Sequence, residues 1–385
     1  MSTVTDTTAA TSSELAPVVE DMSAYIIAGA VTSEREESAW ETVSRTPAQG
    51  IEDGVLAERL GFKRIWLSER IDIKNADVIL SGVGARTTRL ELGTGVIDPT
   101  TRHPWVTAAL GATMQACYGP RFVLGLGRGD NGYFRGTGIE MATFPQMNDY
   151  IDIYRQLWAG GTVTYDGPCG TFPAMSFAET YHGPDPEVWF AGYCQPKGAR
   201  LVAEKCDGVL LVPMMTPEAV GEAVARIHAE CERIDRDPAS VKISALVVTA
   251  PDMDEFETRA IAHGRAVTYL QYEGYGETLC RVNHWDPQVC QDIRNHKQFE
   301  GLSEVADRVF QRHQMMDVAA VVPDEYMRDC SAFGTAEECV TSLQRFIDAG
   351  ATEIATYGST PGQNAGLLSA WRDRDRDRDR EPTRP

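Results

Sequence analysis

A glycine-rich turn is the part of the sequence whose residue types most directly suggest ligand chemistry. Gly127-Arg128-Gly129-Asp130-Asn131-Gly132 follows an apolar segment, residues 121–126, that is typical of a buried strand. Glycines let the backbone approach a flat ring or a phosphate, and unpaired N–H groups in such a turn can hold an anion. The turn therefore predicts ligand contacts at Gly127, Arg128, Gly129 and Asn131.

The same six residues also match the Gly-x-Gly-x-x-Gly pattern of dinucleotide-binding folds. In those folds the pattern lies in the first strand–helix unit and opens a helix directly. Here it lies in the fourth unit, and no helix clearly begins at Gly132. A dinucleotide-binding fold stays open as the weaker alternative.

A second segment, residues 93–104, runs in order through a strand end, two glycines, a polar turn and a helix that begins with proline. His103 stands directly before Pro104, and a capping role is favoured there over a catalytic one. The segment therefore predicts another loop at a strand end, where a ligand can approach the backbone.

Composition excludes several other classes of function. The 385 residues carry a formal net charge of -20, which would repel a nucleic acid or an anionic membrane surface. The nine cysteines and seven histidines show no spacing typical of a metal site, so no metal is expected. No signal peptide and no apolar run of about 18 residues is present, which predicts a cytoplasmic protein with a small-molecule substrate.

Short apolar segments alternate with helical patterns along most of the chain. Helices between these segments are marked by caps, such as Thr216 before Pro217, and Thr335 with Glu338 in a capping box. The predicted strands are residues 24–30, 64–68, 90–96, 121–126, 187–191, 208–213, 241–250 and 353–357.

Eight strands separated by helices favour a (β/α)8 TIM barrel over an open doubly wound sheet, although periodicity alone cannot detect closure. A hairpin within residues 160–186 and a mostly helical insertion at about 257–316 interrupt the alternation, and insertions of this kind commonly cover the catalytic face. We expect a lead-in at 1–22, a single barrel domain at 23–360 and a charged flexible tail at 361–385.

Four segments resemble the bacterial luciferase-like family of flavin and deazaflavin enzymes. They are residues 57–70 (AERLGFKRIWLSER), 93–104 (GTGVIDPTTRHP), 121–130 (RFVLGLGRGD) and 334–358, and together they are spread over most of residues 51–358. The sequence LGTGV followed by TRHPWVTA is most similar to members that use the deazaflavin coenzyme F420. The resemblance implies a luciferase-like barrel with a cofactor at the carboxyl ends of the strands.

The resemblance also implies roles for particular residues. A non-prolyl cis peptide after the third strand, at Gly95-Val96, would press on the cofactor ring, with an ordinary bulge as the alternative. The segment that holds the cofactor phosphate at a helix N-terminus matches Gly192, Tyr193, Cys194 and Gln195, with a plain loop as the alternative. Ser68, at the end of the second strand, is a further predicted cofactor contact.

The end of the second strand departs from the family pattern. Many deazaflavin relatives carry Asp-His there, whereas this chain has Glu69 and Arg70. Histidine exchanges a proton near neutral pH, but arginine stays charged and can only anchor an anion or stabilise a reduced ring. Glu69 is then the predicted acid/base residue, with Arg70 and Arg128 as ring or phosphate contacts. An ion pair at the rim of the barrel is the alternative for each.

The leading hypothesis is hydride transfer between a small organic substrate and F420. An FMN-dependent monooxygenase supplied by a separate flavin reductase is the first alternative. A non-catalytic flavin-binding or partner protein of the same fold is the second, since a fold does not guarantee a function. The resemblance also suggests a homodimer.

Overall fold

The computed structural model describes residues 15–29, 45–130, 132–179, 181–302 and 305–378. Within these residues, eight parallel strands close into a barrel with helices between them, which confirms the predicted (β/α)8 architecture over the open-sheet alternative. The strands are β1 (Val19–Tyr25), β2 (Phe62–Leu67), β3 (Glu91–Thr94), β4 (Phe122–Leu126), β5 (Val163–Gly167), β6 (Gly170–Met175), β7 (Glu187–Gly192), β8 (Gly208–Leu211), β9 (Lys242–Pro251), β10 (Ser331–Gly334) and β11 (Glu353–Tyr357).

Helices follow most of these strands and cover the outside of the barrel and its carboxyl end. They are α1 (Pro47–Leu60), α2 (Ala76–Gly84), α3 (Pro104–Tyr118), α4 (Phe144–Trp158), α5 (Pro196–Lys205), α6 (Pro217–Arg233), α7 (Glu255–Leu270), α8 (Tyr275–Val282), α9 (Gln288–Arg294), α10 (Ala306–Val309), α11 (Met316–Ala319), α12 (Asp324–Cys330), α13 (Ala336–Asp348) and α14 (Ala365–Arg378). The predicted caps are confirmed, because Thr216 accepts a hydrogen bond from the Ala219 N–H and Thr335 forms a capping box with Glu338.

Around the barrel the strands follow the order β1, β2, β3, β4, β7, β8, β9 and β11, and β11 pairs with β1 to close the sheet. Ala24 of β1 lies opposite Ile65 of β2 and Thr356 of β11. β5 and β6 form the predicted antiparallel hairpin, while β10, which was not predicted, pairs with the end of β9. The carboxyl ends of all eight barrel strands therefore meet at one face.

Alternate residues of each barrel strand face its interior. In β2, Ile65 and Leu67 belong to the core between strands and helices, whereas Trp66 belongs to a second core inside the barrel. This inner core continues into the helices that follow β9, through residues such as Ile261 and Val267 of α7. The predicted insertion therefore packs onto the carboxyl end of the barrel.

A buried guanidinium occupies the barrel interior. The side chain of Arg64 is 0% exposed, and its Nη1 donates to Glu353 Oε2 at 2.6 Å. The guanidinium also pairs with Glu91 and lies 5.1 Å and 4.6 Å from the ring centroids of Trp66 and Trp189. Charge pairing and ring contacts together compensate the loss of hydration at this cation.

The predicted boundaries at the start of the chain are wrong. β1 begins at Val19, inside the predicted lead-in at 1–22, and ends at Tyr25, before the end of the strand predicted at 24–30. The apolar run that suggested a later strand follows polar residues, Glu20 and Asp21, that resemble a loop in sequence. Pairing with β2 nevertheless starts at Val19, and pairing with β11 starts at Met22. Residues 1–14 of the predicted lead-in lie outside the described residues.

The predicted flexible tail at 361–385 is also wrong for residues 365–378, which form α14. Leu367, Leu368 and Trp371 are buried, and the Trp371 Nε1 donates to Asp21 at 3.0 Å. This apolar stripe precedes the Arg-Asp repeat, which begins at Arg372, and docks the helix on the barrel. Residues 379–385 lie outside the part of the chain that the structure describes.

Across the described ranges, none of the helices has both the length and the apolar content needed to cross a membrane. The same ranges contain no group of three or more His, Cys, Asp or Glu side chains that could hold a metal ion. The nine cysteines are free thiols.

Replacing Arg64 by Met tests the buried ion pair. The variant leaves the Glu353 carboxylate buried without its cation, and we expect the free energy of unfolding to fall by about 3–5 kcal/mol, measured by urea denaturation. Arg86→Met is the control, since Arg86 pairs with Glu52 on the surface, where such pairs contribute little. An equal loss of unfolding free energy in the two variants would contradict a larger stabilising role for the buried ion pair.

Candidate active site

A cavity of about 1030 Å³ lies at the carboxyl ends of β4 and β7, between the barrel and the helices that follow β9. Its barrel wall includes predicted cofactor contacts from both strand ends, namely Arg128, Gly129, Gly192, Tyr193, Cys194 and Gln195. Its opposite wall includes side chains of the insertion, among them Gln271, Tyr272, Tyr275 and Arg294. Two turns that are far apart in sequence therefore share one cavity.

The turn after β4 presents a cation to this cavity. Gly129 has a φ of 77°, a conformation that glycine adopts without strain. The Nε of Arg128 donates to the Ala142 carbonyl at 2.7 Å, and its guanidinium lies 4.3 Å from the centroid of Phe144. Burial lowers the pKa of Arg128, and among the described residues no carboxylate forms an ion pair with it. Arg128 is therefore positioned to bind an anionic group.

Asp130 connects the same turn to the insertion. Its Oδ1 accepts hydrogen bonds from the N–H groups of Gly132 at 2.8 Å and Tyr133 at 3.1 Å, and from the Tyr272 hydroxyl. Sequence reasoning did not select Asp130, although an aspartate that bonds the backbone two residues later is a common turn signal. The predicted contact Asn131 lies outside the described residues.

The turn after β7 leads into α5. Gln195 is the N-cap and Pro196 the first helical residue, so the first N–H groups of α5 have no partner within the helix and favour an anion. Cys194 has a φ of 47°, and its carbonyl accepts a hydrogen bond from Arg226 Nη1 at 3.1 Å. Burial raises the pKa of the Cys194 thiol to about 12, so the thiol is neutral and the residue is not a nucleophile.

The peptide between Gly95 and Val96 is cis, as the family resemblance implied. The Gly95 carbonyl accepts a hydrogen bond from the Tyr25 hydroxyl, which Ser68 also contacts. A Cβ on Gly95 would lie 3.2 Å from both Trp66 and Tyr25. The predicted contacts Ser68, Gly95, Val96 and Gly127 follow the ends of β2, β3 and β4 and do not belong to the cavity lining.

Glu69 forms an ion pair, which was the alternative to its predicted acid/base role. Its carboxylate accepts a hydrogen bond from Arg102 Nε at 3.1 Å, and the same guanidinium pairs with Asp77. The side chain of Glu69 is 5% exposed and does not line the cavity, and burial raises its pKa. The geometry thus does not support the predicted acid/base role of Glu69.

Arg70 lies in a smaller pocket that shares Asp130, Tyr272, Tyr275 and Val305 with the main cavity. Its Nη1 is 3.1 Å from Asp307 Oδ2, and its guanidinium lies 5.7 Å from the centroid of Tyr133. Because Asp307 comes from the insertion, no sequence pattern near Arg70 could have indicated this pairing.

Asp98 is a buried carboxyl group that sequence reasoning passed over, although it lies between Gly95 and Pro104 in a segment already singled out. Burial raises its pKa to about 7, Glu69 and Asp130 add to the shift, and a hydrogen bond from the Gly129 N–H opposes it. A Cβ on Gly127 would lie 2.9 Å from Asp98 Oδ1. Gly127 therefore leaves room for Asp98 beneath the turn.

Comparisons with known proteins agree with this architecture. The family model described as "Luciferase-like monooxygenase" matches residues 27–353. A 5,10-methylenetetrahydromethanopterin reductase of Methanolobus tindarius is 27% identical over 310 residues, covering 80% of this chain and 89% of that protein. An F420-dependent glucose-6-phosphate dehydrogenase of Microbacterium testaceum is 33% identical over 190 residues, covering 46% and 56%.

Among solved structures, the coenzyme F420 dependent tetrahydromethanopterin reductase from Methanopyrus kandleri superposes with a TM-score of 0.73. It is 18% identical in sequence, and the match covers 92% of this chain and 98% of that one. At this identity the match shows the fold, which is the luciferase-like (β/α)8 barrel.

The raised pKa of Asp98 predicts a pH-dependent stability. The folded chain holds this proton up to about pH 7, whereas the unfolded chain loses it near pH 4, so the contribution of Asp98 to stability falls as pH rises between these values. Asp98→Asn cannot ionise, and its oxygen can still accept the hydrogen bond from Gly129.

The free energy of unfolding of Asp98→Asn, relative to the unmodified chain, should therefore increase from pH 4 to pH 7 and level off above pH 7. Urea denaturation at several pH values measures this difference. A difference that stays constant over the range would contradict a protonated Asp98.

Proposed function

The chain belongs to the luciferase-like monooxygenase family, and we propose that it is an F420-dependent oxidoreductase that transfers a hydride between a small organic substrate and the deazaflavin. Its relatives are oxidoreductases, and the chain is an enzyme of that class. The cofactor and the hydride transfer to or from a small organic substrate are the part that we propose.

One observation carries the proposal. The turns after β4 and β7 line a single cavity of about 1030 Å³, which is large enough for a cofactor. The N-terminus of α5 and the guanidinium of Arg128 both favour an anion there, so the residues fit a cofactor that carries a phosphate. The cis peptide at Gly95-Val96 lies at the neighbouring strand end.

The choice of F420 over FMN rests on two supports. The relatives and the solved structure described above include proteins whose names specify F420. The side chain of F420 continues beyond its phosphate and ends in carboxylates, whereas FMN ends at the phosphate. Arg135 on the exposed side of the cavity offers a further positive charge for such an extension.

The residues of the chain supply position and charge. Arg128 and the start of α5 would hold the phosphate, and Gly129 would let the backbone approach it. Tyr272 and Tyr275 of the insertion would cover the site and exclude water. When bound, F420 would supply the carbon centre that accepts or donates the hydride. Glu69 is not assigned the proton transfer, because Arg102 holds its carboxylate.

A side-by-side titration of the purified protein with F420 and FMN tests the proposal. We expect F420 to bind at micromolar concentration or below, with quenching of its fluorescence, and FMN to bind at least tenfold more weakly. Tighter binding of FMN would favour the flavin monooxygenase instead. Binding of neither cofactor would contradict the proposed cofactor assignment.

Arg128→Met should weaken F420 binding at least tenfold, because a hydrogen bond to a charged group contributes about 1.5–3 kcal/mol. Arg200→Met is the matched control, since Arg200 lies on α5 but is mostly exposed and pairs with Glu230 outside the cavity. The dissociation constants come from the same fluorescence titration. Unchanged affinity of Arg128→Met would remove Arg128 from the binding site.

A further inference from the structure

The smaller pocket beside the main cavity has the features of a separate binding compartment. Its volume is about 190 Å³, and it joins the main cavity along Asp130, Tyr272, Tyr275 and Val305. Its remaining walls are Arg70, Tyr133, Arg265, Thr268, Tyr269 and Asp307. Aromatic side chains and cations therefore make up most of this compartment.

One carboxylate of this pocket is shared by two guanidinium groups. Asp307 Oδ2 lies 3.1 Å from Arg70 Nη1 and 3.4 Å from Arg265 Nη1. Asp307 Oδ1 and Arg70 Nε are buried and have no hydrogen-bond partner among the described residues. Of these two atoms, Arg70 Nε can donate to an incoming anion, whereas Asp307 Oδ1 can only accept.

Further cations surround the same pocket. Arg312 donates to the Gly358 carbonyl at 2.8 Å and forms no ion pair within the described residues, and burial lowers its pKa to about 10. Burial, with Arg70 and Arg265 nearby, lowers the pKa of Lys74 to about 8. Two other carboxylates lie beside this group, Asp130 in the pocket wall and Asp72, which pairs with Arg308. Cations therefore outnumber carboxylates around the pocket in the described part of the chain.

The position of Arg265 is fixed by its neighbours. Its Nε donates to the Tyr357 hydroxyl at 3.0 Å, and its guanidinium lies 4.9 Å from the centroid of Tyr269 and 5.3 Å from that of Tyr357. The two tyrosine hydroxyls are 2.8 Å apart. A guanidinium held in this way loses little entropy when it binds a carboxylate.

Partly buried cations in excess of their counter-charges are costly, and an anion that enters the pocket would reduce this cost. We propose that the smaller pocket binds the carboxylate of the substrate through Arg70 and Arg265, so that the substrate is a small organic acid with a flat body. This inference rests on the proposed oxidoreductase function.

Size and shape set the substrate class. A dry cavity of about 150 Å³ in another protein holds a benzene molecule, so a pocket of about 190 Å³ suits a molecule about the size of benzoate. The rings of Tyr133, Tyr269, Tyr272 and Tyr275 can pack against a flat body. The reacting group of such a substrate would face the shared boundary with the main cavity.

Calorimetric titration of the full-length protein with benzoate and with benzamide, its neutral analogue, tests the proposal. Each titration is done in the presence and in the absence of F420. We expect benzoate to bind at least tenfold more tightly than benzamide. Arg265→Met should weaken the binding of benzoate at least tenfold and leave the affinity for benzamide unchanged. Arg259→Met is the control, because Arg259 is also on α7 but pairs with Asp324 away from the pocket.

Arg70→Met, at the partly exposed end of the pocket, should weaken the binding of benzoate at least tenfold as well. This second variant provides the test if Arg265→Met does not fold. Equal affinities for benzoate and benzamide would overturn the proposal. Tighter binding of inorganic phosphate than of benzoate would also overturn it, in favour of a phosphate site.

The F420 titration of the same variants separates this inference from the proposed function. We expect their F420 affinity to stay within twofold of the unmodified protein. An equal loss of F420 and benzoate affinity would assign the cations to the cofactor and overturn the substrate proposal. Arginine-dependent binding of benzoate without any binding of F420 would support the carboxylate pocket and overturn the cofactor assignment.

Discussion

The ion pair between Arg64 and Glu353 inside the barrel is the interaction on which the position of the site depends. The guanidinium occupies the interior together with the rings of Trp66 and Trp189. These groups fill the space so closely that a Cβ on Gly93 would lie 2.4 Å from Trp66. A ligand therefore has room only beyond this layer, at the carboxyl ends of the strands.

The same packing explains why glycines stand at several strand ends. A Cβ on Gly125 would lie 1.9 Å from the Thr94 carbonyl, and one on Gly127 would lie 2.5 Å from Val96. Because β3 and β4 approach so closely, the turns after them emerge together beside the cavity. The helices after β9 then pack on the inner core and close the cavity from the opposite side.

Sequence patterns predicted the barrel because buried parallel strands are short continuous apolar runs. The glycine pattern indicated the turn after β4, and the family resemblance indicated the turn after β7. The patterns misplaced β1 and missed α14, where polar residues stand next to the apolar ones that pack. They also could not find the partners of charged residues. Arg102, which holds Glu69, and Asp307, which holds Arg70, are distant in sequence and meet these residues only in the folded chain. The homodimer stays a prediction.

The distribution of charge over the molecule is the last constraint. The chain as a whole carries a net charge of -20, yet the cavity wall presents Arg128 and the adjoining pocket presents Arg70 and Arg265. Exposed charges farther away than about 8 Å are largely screened at physiological salt, whereas buried charges are screened much less. An anionic ligand inside therefore responds mainly to the nearby guanidinium groups. Recognition of an anion by this acidic protein thus depends on the few cations that the fold buries at the carboxyl ends of its strands.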